Sequence, residues 1–309
     1  MLSLSEAQVR ELLPMDRAIE LVEAGLRHWA AGRAQNHPRR RLQHESSAIL
    51  HYMTVVDLET GYLGAKLYTT HPRTGAHFFV LLFSWDGRPL ASIEANALGQ
   101  IRTGAATGVA TRLMSRPGSR VAGVIGSGFQ ARTQLEAVAR VRTIGEARVY
   151  SRDEQKRGRF AAEMQAALGL SVIAADSARR AVDGADIVIT ATNARDPVLL
   201  GEWLNPGTHV NAVGSNHARR RELDAEAVRR SGRIVADSID QAQMESGDLI
   251  AAFEAGAGKW SDVLELADVV AGRVAGRTSD DQVTLFKSNG LALEDIAVAG
   301  WLYEQATPR

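Results

Sequence analysis

Leu12, Leu13, Ala18, Ile19, Val22 and Leu26 recur at helical spacing, so the first thirty residues are expected to form amphipathic helix in one or two pieces. From about residue 40 to residue 95 the period shortens. In "AILHYMTVVD", "YLGAKLYTT" and "AHFFVLLFSWDGRPLASIE" short apolar runs are broken by turns, and Trp85-Asp86-Gly87-Arg88 reads as a hairpin turn. This region is expected to be a mixed or antiparallel sheet. The next stretch, "ANALGQIRTGAATGVATRLMSRPG", is rich in Ala and Gly, whose small side chains permit close helix packing. Pro117 and Gly118 break that pattern and mark the expected domain boundary.

Beyond Gly118 the alternation becomes regular. Strand-like "RVAGVIG", "ARVYS", "SVIAA", "DIVITAT", "HVNAVG" and "RIVADS" are interleaved with helical "FQARTQLEAVARV", "EQKRGRFAAEMQAAL", "ARRAVDG" and "DAEAVRRS". Strands alternating with helices predict an α/β fold with a doubly wound, Rossmann-type parallel sheet. The closing segment "DQVTLFKSNGLALEDIAVAGWLYEQA" reads as a strand, a Ser288-Asn289-Gly290 turn and a helix with Glu294 and Asp295 near its positive end.

Composition changes this picture only by exclusion. The 309 residues are 45% hydrophobic, enough for one large or two moderate domains, each with its own core. Thirty-six basic residues balance thirty-six acidic ones, so no global field attracts nucleic acid or an anionic membrane. Neither is an expected partner. There is no cysteine, which excludes disulfides and thiolate zinc sites, and the eight histidines show no HExxH-like pairing, so no metal is expected. The N-terminus lacks the pattern of a secretory signal, and no eighteen apolar residues run together. A cytoplasmic location is the expectation.

The chemistry starts at "VIGSGFQA". Gly126, Gly128 and Ala131 make GxGxxA between an apolar strand and a helix, where the glycines permit a tight turn and the helix N-terminus receives a pyrophosphate. Phe129 and Gln130 fall at the helix start. About 20 residues further on, where NAD enzymes place a carboxylate against the ribose 2′-hydroxyl, the chain has Ser151 and Arg152, with Lys156 and Arg157 a turn later. Arginine grips a 2′-phosphate through its fork and serine donates to it, so NADPH (NADP) is favoured over NADH. Asp153, next to Arg152, is the acid that could turn inward against such a phosphate.

Outside the nucleotide motif, cations stand out. Lys66 lies in an apolar strand, where a lysine either emerges at a sheet edge or faces a polar cavity. Arg102 opens "RTGAATGVATRL", an unfavourable place for a cation unless an anion lies between it and the helix end. Among Arg39, Arg40 and Arg41, alternation puts Arg39 and Arg41 on one face and Arg40 on the other. His217 and Arg219 to Arg221 form a second basic run, read as a solvated turn.

Taken together, "GAKLYTTHP", "LGQIRTGAATGVAT", "VIGSGFQA", "HVNAVGSNHARRREL" and "TLFKSNGLALED" resemble the ornithine cyclodeaminase/mu-crystallin family over nearly the whole chain. The resemblance implies a homodimer whose subunit has a substrate and dimerisation domain, residues 1–116 completed by 287–309, and a nucleotide domain, residues 117–286. It implies that Lys66 handles a proton, that Arg102 lies at substrate and cofactor, and that Arg39 or Arg41, with Arg40 as a third candidate, binds the substrate carboxylate. It also places Gln130, Thr192, Val213 and Ser288 at the cofactor.

One position departs from the pattern. Cyclodeaminases and several alanine dehydrogenases of the family carry an aspartate where "AVGSNHARRREL" has Asn216. Asparagine hydrogen-bonds an amine but is no carboxylate base, so cyclodeamination is expected to be impaired. The expected activity is therefore NADPH-dependent reduction of small 2-carboxylated imines, such as Δ1-pyrroline-2-carboxylate or Δ1-piperideine-2-carboxylate, to L-proline or L-pipecolate. The alternatives are an alanine-type or opine-type dehydrogenase, an ornithine cyclodeaminase, and a mu-crystallin-like protein that binds NADPH or a small ligand without turnover.

Overall fold

The structure, a computed structural model, describes residues 1–307. A short strand, β1 (Leu2–Leu4), precedes helices α1 (Glu6–Leu12) and α2 (Met15–Ala30). Pro14 separates the two helices by standing at the N-cap of the second, since it has no N–H to continue the first. Five strands follow: β2 (Ala34–Gln43), β3 (Ile49–Asp57), β4 (Tyr62–His71), β5 (Gly75–Ser84) and β6 (Pro89–Glu94). They pair antiparallel, and β1 adds in parallel along β6, giving a mixed sheet of order β1-β6-β5-β4-β3-β2. The β5–β6 turn is the expected one at Trp85–Arg88, with Gly87 at φ 83°.

Helix α3 (Asn96–Met114) comes next. The chain divides into two compact units, Met1–Ala105 with Gly290–Arg309, and Ala106–Asn289, so the division falls inside α3 and not at Pro117-Gly118. The reason is that the last turns of α3 are tied into the second unit. Asn211 Nδ2 donates to Thr111 Oγ1 at 3.0 Å, Arg142 Nη2 to Arg112 O at 2.7 Å and Arg277 Nε to Met114 O at 2.7 Å.

The second unit runs β7 (Val121–Ile125), α4 (Phe129–Val141), β8 (Glu146–Tyr150), α5 (Glu154–Leu168), β9 (Ser171–Ala174), α6 (Ala178–Val182), β10 (Ile187–Thr190), β11 (His209–Ala212), α7 (Ala225–Arg230) and β12 (Ser231–Ala236). It continues with α8 (Ile239–Glu245), α9 (Gly247–Glu254), β13 (Val263–Glu265), α10 (Leu266–Val270) and β14 (Val283–Lys287). Every strand pair is parallel, in the order β13-β12-β14-β11-β10-β7-β8-β9. All four residues of β10 and of β11 are buried, as both-sided helix cover requires. Strand order reverses beside β7, which opens a crevice at the C-terminal ends of β7 and β10.

The last helix, α11 (Ala292–Ala306), belongs to the first unit, where it packs on α2 and on β3 to β5. It lies on the sheet face that carries Gly64, Lys66, Tyr68, Val80 and Leu82; a Cβ on Gly64 would stand 2.1 Å from Ile296 Cδ1. The opposite face carries Leu50, Leu67, Phe79, Leu81 and Phe83, of which Leu50 is 39% and Phe79 45% exposed. Among the described residues no helix is long and apolar enough to cross a membrane, and no three His, Asp or Glu side chains group as a metal site would need.

Candidate active site

In the nucleotide unit, Gly126 closes the turn after β7 at φ 114°, and a Cβ there would meet Ala191 O at 2.4 Å. Gly128 caps α4 at an ordinary φ of −83°, makes no side-chain cap bond, and has nothing within 4 Å of where a Cβ would be. No side chain caps the start of this thirteen-residue helix, and open space adjoins Gly128, an arrangement that suits an anion. That space is a cleft of about 1280 Å³, lined on this side by Gly126, Gly128, Phe129 and Gln130. Gln130 Oε1 is buried without a hydrogen-bond partner. A dinucleotide pyrophosphate fits these groups.

The far wall of the cleft includes Ser151, Arg152 and Lys156. Ser127 Oγ donates to Ser151 Oγ at 2.8 Å, and Arg157 Nη1 holds Ser151 O at 2.9 Å. Asp153 also lines the cleft, but its carboxylate caps α5 by accepting from Lys156 N at 3.0 Å, with Lys156 Nζ at 3.4 Å. The hydrogen bond from the Lys156 N–H holds this carboxyl below its usual range.

At the crevice floor, Thr192 and Gly214 line the cleft, while Val213 packs against the hydrophobic core beneath it. Both loops are tied to Glu222, a fully buried carboxylate that sequence reasoning passed over. It accepts from Thr190 Oγ1 at 2.8 Å, Thr192 N at 2.6 Å, Thr192 Oγ1 at 2.8 Å and Gly214 N at 2.8 Å. Burial, then Asp248, raises its pKa. Asp248 in turn holds Glu222 N and stands 2.9 Å from the buried Lys287 ammonium, which donates to Ser215 O. Ser288 is buried and donates to Asp237 at 3.1 Å, and it is not among the cleft-lining residues. Asn216, His217 and Arg219 to Arg221 are exposed in the loop after β11.

The first unit gathers its charges around Lys66. Strand β4 is central, so the edge alternative fails: Lys66 is 4% exposed and donates to Asp295 Oδ1 at 2.7 Å. Gly99 leaves room for the ammonium, since a Cβ there would be 3.0 Å from Nζ. Arg102 does not open its helix, because α3 begins at Asn96. It sits two turns in and is buried, and the anion that its position demanded comes from α11: Nη1 donates to Glu294 Oε2 at 2.6 Å and Nε to Asp295 Oδ1 at 3.1 Å.

The arginine run is resolved by a bulge. β2 pairs with β3 in one register up to His37 and in another from Arg40, with an extra residue at Pro38–Arg39. An edge strand is where a proline and a bulge are tolerated. The bulge switches the inward positions from Ala34 and Asn36 to Arg39 and Arg41. Arg39 is buried and donates to Gly290 O at 3.4 Å, whereas Arg40 and Arg41 are exposed. Lys66 and Arg102 thus meet the carboxylates of Glu294 and Asp295, and Arg39 is near enough for its charge to act on the Lys66 ammonium. Burial outweighs Asp295 and pushes the Lys66 ammonium down to about 8.

The model of the ornithine cyclodeaminase/mu-crystallin family matches residues 1–309. The chain belongs to this family. It is 36% identical to a Delta(1)-pyrroline-2-carboxylate reductase of Bacillus cereus, over 100% of this chain and 98% of that protein. It is also 36% identical to an alanine dehydrogenase of Archaeoglobus fulgidus, over 99% and 95%. Among solved structures, the Delta(1)-pyrroline-2-carboxylate reductase of Thermococcus litoralis, in complex with NADH and L-proline, superposes with a TM-score of 0.95 at 39% identity, covering 99% of this chain and 97% of that one. This member of the ornithine cyclodeaminase/mu-crystallin family is an NAD(P)-dependent oxidoreductase acting on C–N bonds.

The cradle makes a prediction that separates binding from folding. Gly128→Val places its side chain in open cleft space without straining the backbone, so the melting temperature is expected to stay near the parent value. Affinity for the dinucleotide, read by fluorescence titration, is expected to fall at least about tenfold, or ~1.4 kcal/mol. An unchanged affinity would show that the anion lies elsewhere.

Proposed function

We propose that the enzyme reduces small cyclic imines bearing a carboxylate on the imine carbon, Δ1-pyrroline-2-carboxylate or Δ1-piperideine-2-carboxylate, to L-proline or L-pipecolate, with NADPH as reductant. The observation that carries this reading is the buried Lys66–Asp295 pair, set among Arg102, Glu294 and Arg39. A buried lysine with two buried arginines suits a ligand that brings a carboxylate, and Arg39 is the buried member of the run, with a fork to present to it.

The bound dinucleotide supplies a hydride to the imine carbon. The chain's own residues manage the rest. Lys66, protonated, hydrogen-bonds the imine nitrogen and gives it the proton that completes the amine, leaving a neutral lysine beside Asp295. A lysine near 8 exchanges that proton readily at ordinary pH, which an unperturbed lysine does not.

Asn216 supports net reduction: cyclodeamination needs a carboxylate base where this chain offers an amide. Ser151 and Arg152 on the cleft wall, with Asp153 engaged in capping α5, support NADPH over the NADH held by the Thermococcus litoralis relative. The apolar outer face of the first sheet, around Leu50, Phe79 and Phe83, supports a homodimer joined there, as a face this apolar is seldom left to water.

Following NADPH absorbance across cyclic imines, keto acids with ammonia, and ornithine tests the assignment. Turnover is expected with the cyclic imines and is expected to vanish in Lys66→Ala; activity with pyruvate and ammonia alone would mark an alanine-type dehydrogenase. Arg152→Ala is expected to raise KM for NADPH about tenfold and leave KM for NADH nearly unchanged, the loss of one charged contact. Equal effects on both cofactors would remove the 2′-phosphate from the argument.

The pH dependence follows from Lys66. Reduction uses the protonated form, present below about 8, so kcat for imine reduction should fall as pH rises through about 8. Asp295 favours the charged form, whereas Arg102 and Arg39 oppose it. Asp295→Asn should therefore move that limb to lower pH. A limb that stays in place would exclude Lys66 as the titrating group.

A further inference from the structure

His51 is a buried side chain that the reaction so far leaves idle. Arg41, His51, Tyr68 and Phe78 stand opposite one another in a single cross-strand row over β2 to β5. The His51 ring lies flat on Tyr68, 4.2 Å between centroids at 5°, and Tyr68 lies on Phe78 at 4.8 Å. The next row on the same face is Met53, Lys66 and Val80, and the bulge in β2 adds Arg39 to it.

Orientation within that row is fixed by Thr70. His51 Nε2 is 2.9 Å from Thr70 Oγ1, and same-face positions along β4 run Lys66, Tyr68, Thr70, so Nε2 is turned away from Lys66. The two nitrogens of an imidazole point in nearly opposite directions in the ring plane. Nδ1 is therefore turned toward the row of Lys66 and Arg39. It is buried and makes no hydrogen bond, on a residue only 6% exposed.

Burial first, then Arg41 and Arg39, pushes the imidazole down to about 4, so it is neutral at ordinary pH and one nitrogen carries the hydrogen. A threonine hydroxyl either donates or accepts, so Thr70 satisfies Nε2 in either tautomer and leaves Nδ1 able to be N–H. A neutral donor is what an anion wants beside a cation, because it adds a bond without more buried charge.

Resting on the reading that Arg39 holds the substrate carboxylate, we propose that His51 is a further substrate-binding residue, its Nδ1–H donating to that same carboxylate and so selecting 2-carboxylated imines. The aromatic row then serves to hold the imidazole edge-on to the ligand.

Amide substitutions separate the two nitrogens. In His51→Asn the amide falls near the site of Nδ1, whereas in His51→Gln it reaches the site of Nε2. His51→Leu and His51→Gln are expected to raise KM for Δ1-pyrroline-2-carboxylate about tenfold with KM for NADPH unchanged, the weight of one hydrogen bond to a charged group. His51→Asn is expected to recover most of that loss. In the parent enzyme, nitrogen NMR with pyrrole-2-carboxylate, a planar carboxylate lacking a reducible C=N bond, is expected to show Nδ1 carrying the hydrogen in the complex. If His51→Asn is as impaired as His51→Leu, or Nδ1 stays without its hydrogen in the complex, the row is packing alone and the proposal fails. Arg39→Met distinguishes the levels. A raised KM there with none in His51→Leu overturns the role of His51 only, and an unchanged KM in Arg39→Met removes the carboxylate site and this proposal with it.

Discussion

The structure depends most on the ion cluster that joins the last helix to the first sheet. Lys66 and Arg102 are cations held out of water, and each such group costs several kcal/mol unless it is compensated in place. The compensation arrives from far along the chain, in Glu294 and Asp295 on the first turn of α11. Both acids also sit at the helix end where a negative charge is favoured, so one pair of carboxylates answers the helix and the two cations together. Removing a single member would strand a buried charge, which explains why α11 must return to the N-terminal sheet after the whole nucleotide unit has been made.

The proposed reaction draws on the balance of forces at Lys66 in that cluster. Burial outweighs the hold of Asp295 on the Lys66 proton, and Arg102, which shares the same carboxylate oxygen, lowers that hold further. The result is an ammonium that gives up its proton more easily than an ordinary lysine, among two buried arginines. In the proposed reaction, the proton donor and the anion site come from the same arrangement.

How much of this was legible in the sequence follows from how far each signal reaches. The glycine cradle is readable because its logic is local: a strand, a turn needing Gly126 at positive φ, and a helix start are all within ten residues. The parallel sheet is readable from its alternation. By contrast α8, α9, β13 and α10 have too few turns or residues to display a period, so residues 239 to 280 carry no assignment from sequence. Lys66 stands out as misplaced in an apolar strand, but strand alternation cannot tell a central strand from an edge. Arg102 reads as a helix start because "RTGAATG" looks like one, whereas α3 begins at Asn96. The choice among Arg39, Arg40 and Arg41 turns on a bulge, and a one-residue insertion beside Pro38 leaves no trace in periodicity until the partner strand is known.

The nucleotide unit shows the same division between what is local and what is assembled. Arg152 and Ser151 are readable because they occupy a place in sequence set by the cradle, and Asp153, the acid directly beside Arg152, is drawn off by the need of α5 for a cap. Glu222 cannot be read that way. Its four acceptor contacts come from Thr190 at the end of β10 and from Thr192 and Gly214 on the loops after β10 and β11, which meet only once those strands are side by side. Thr192 accordingly has its hydroxyl committed to Glu222, so that it offers the cleft its methyl and backbone; the carboxylate beneath, and not the threonine on view, fixes the shape of the crevice floor.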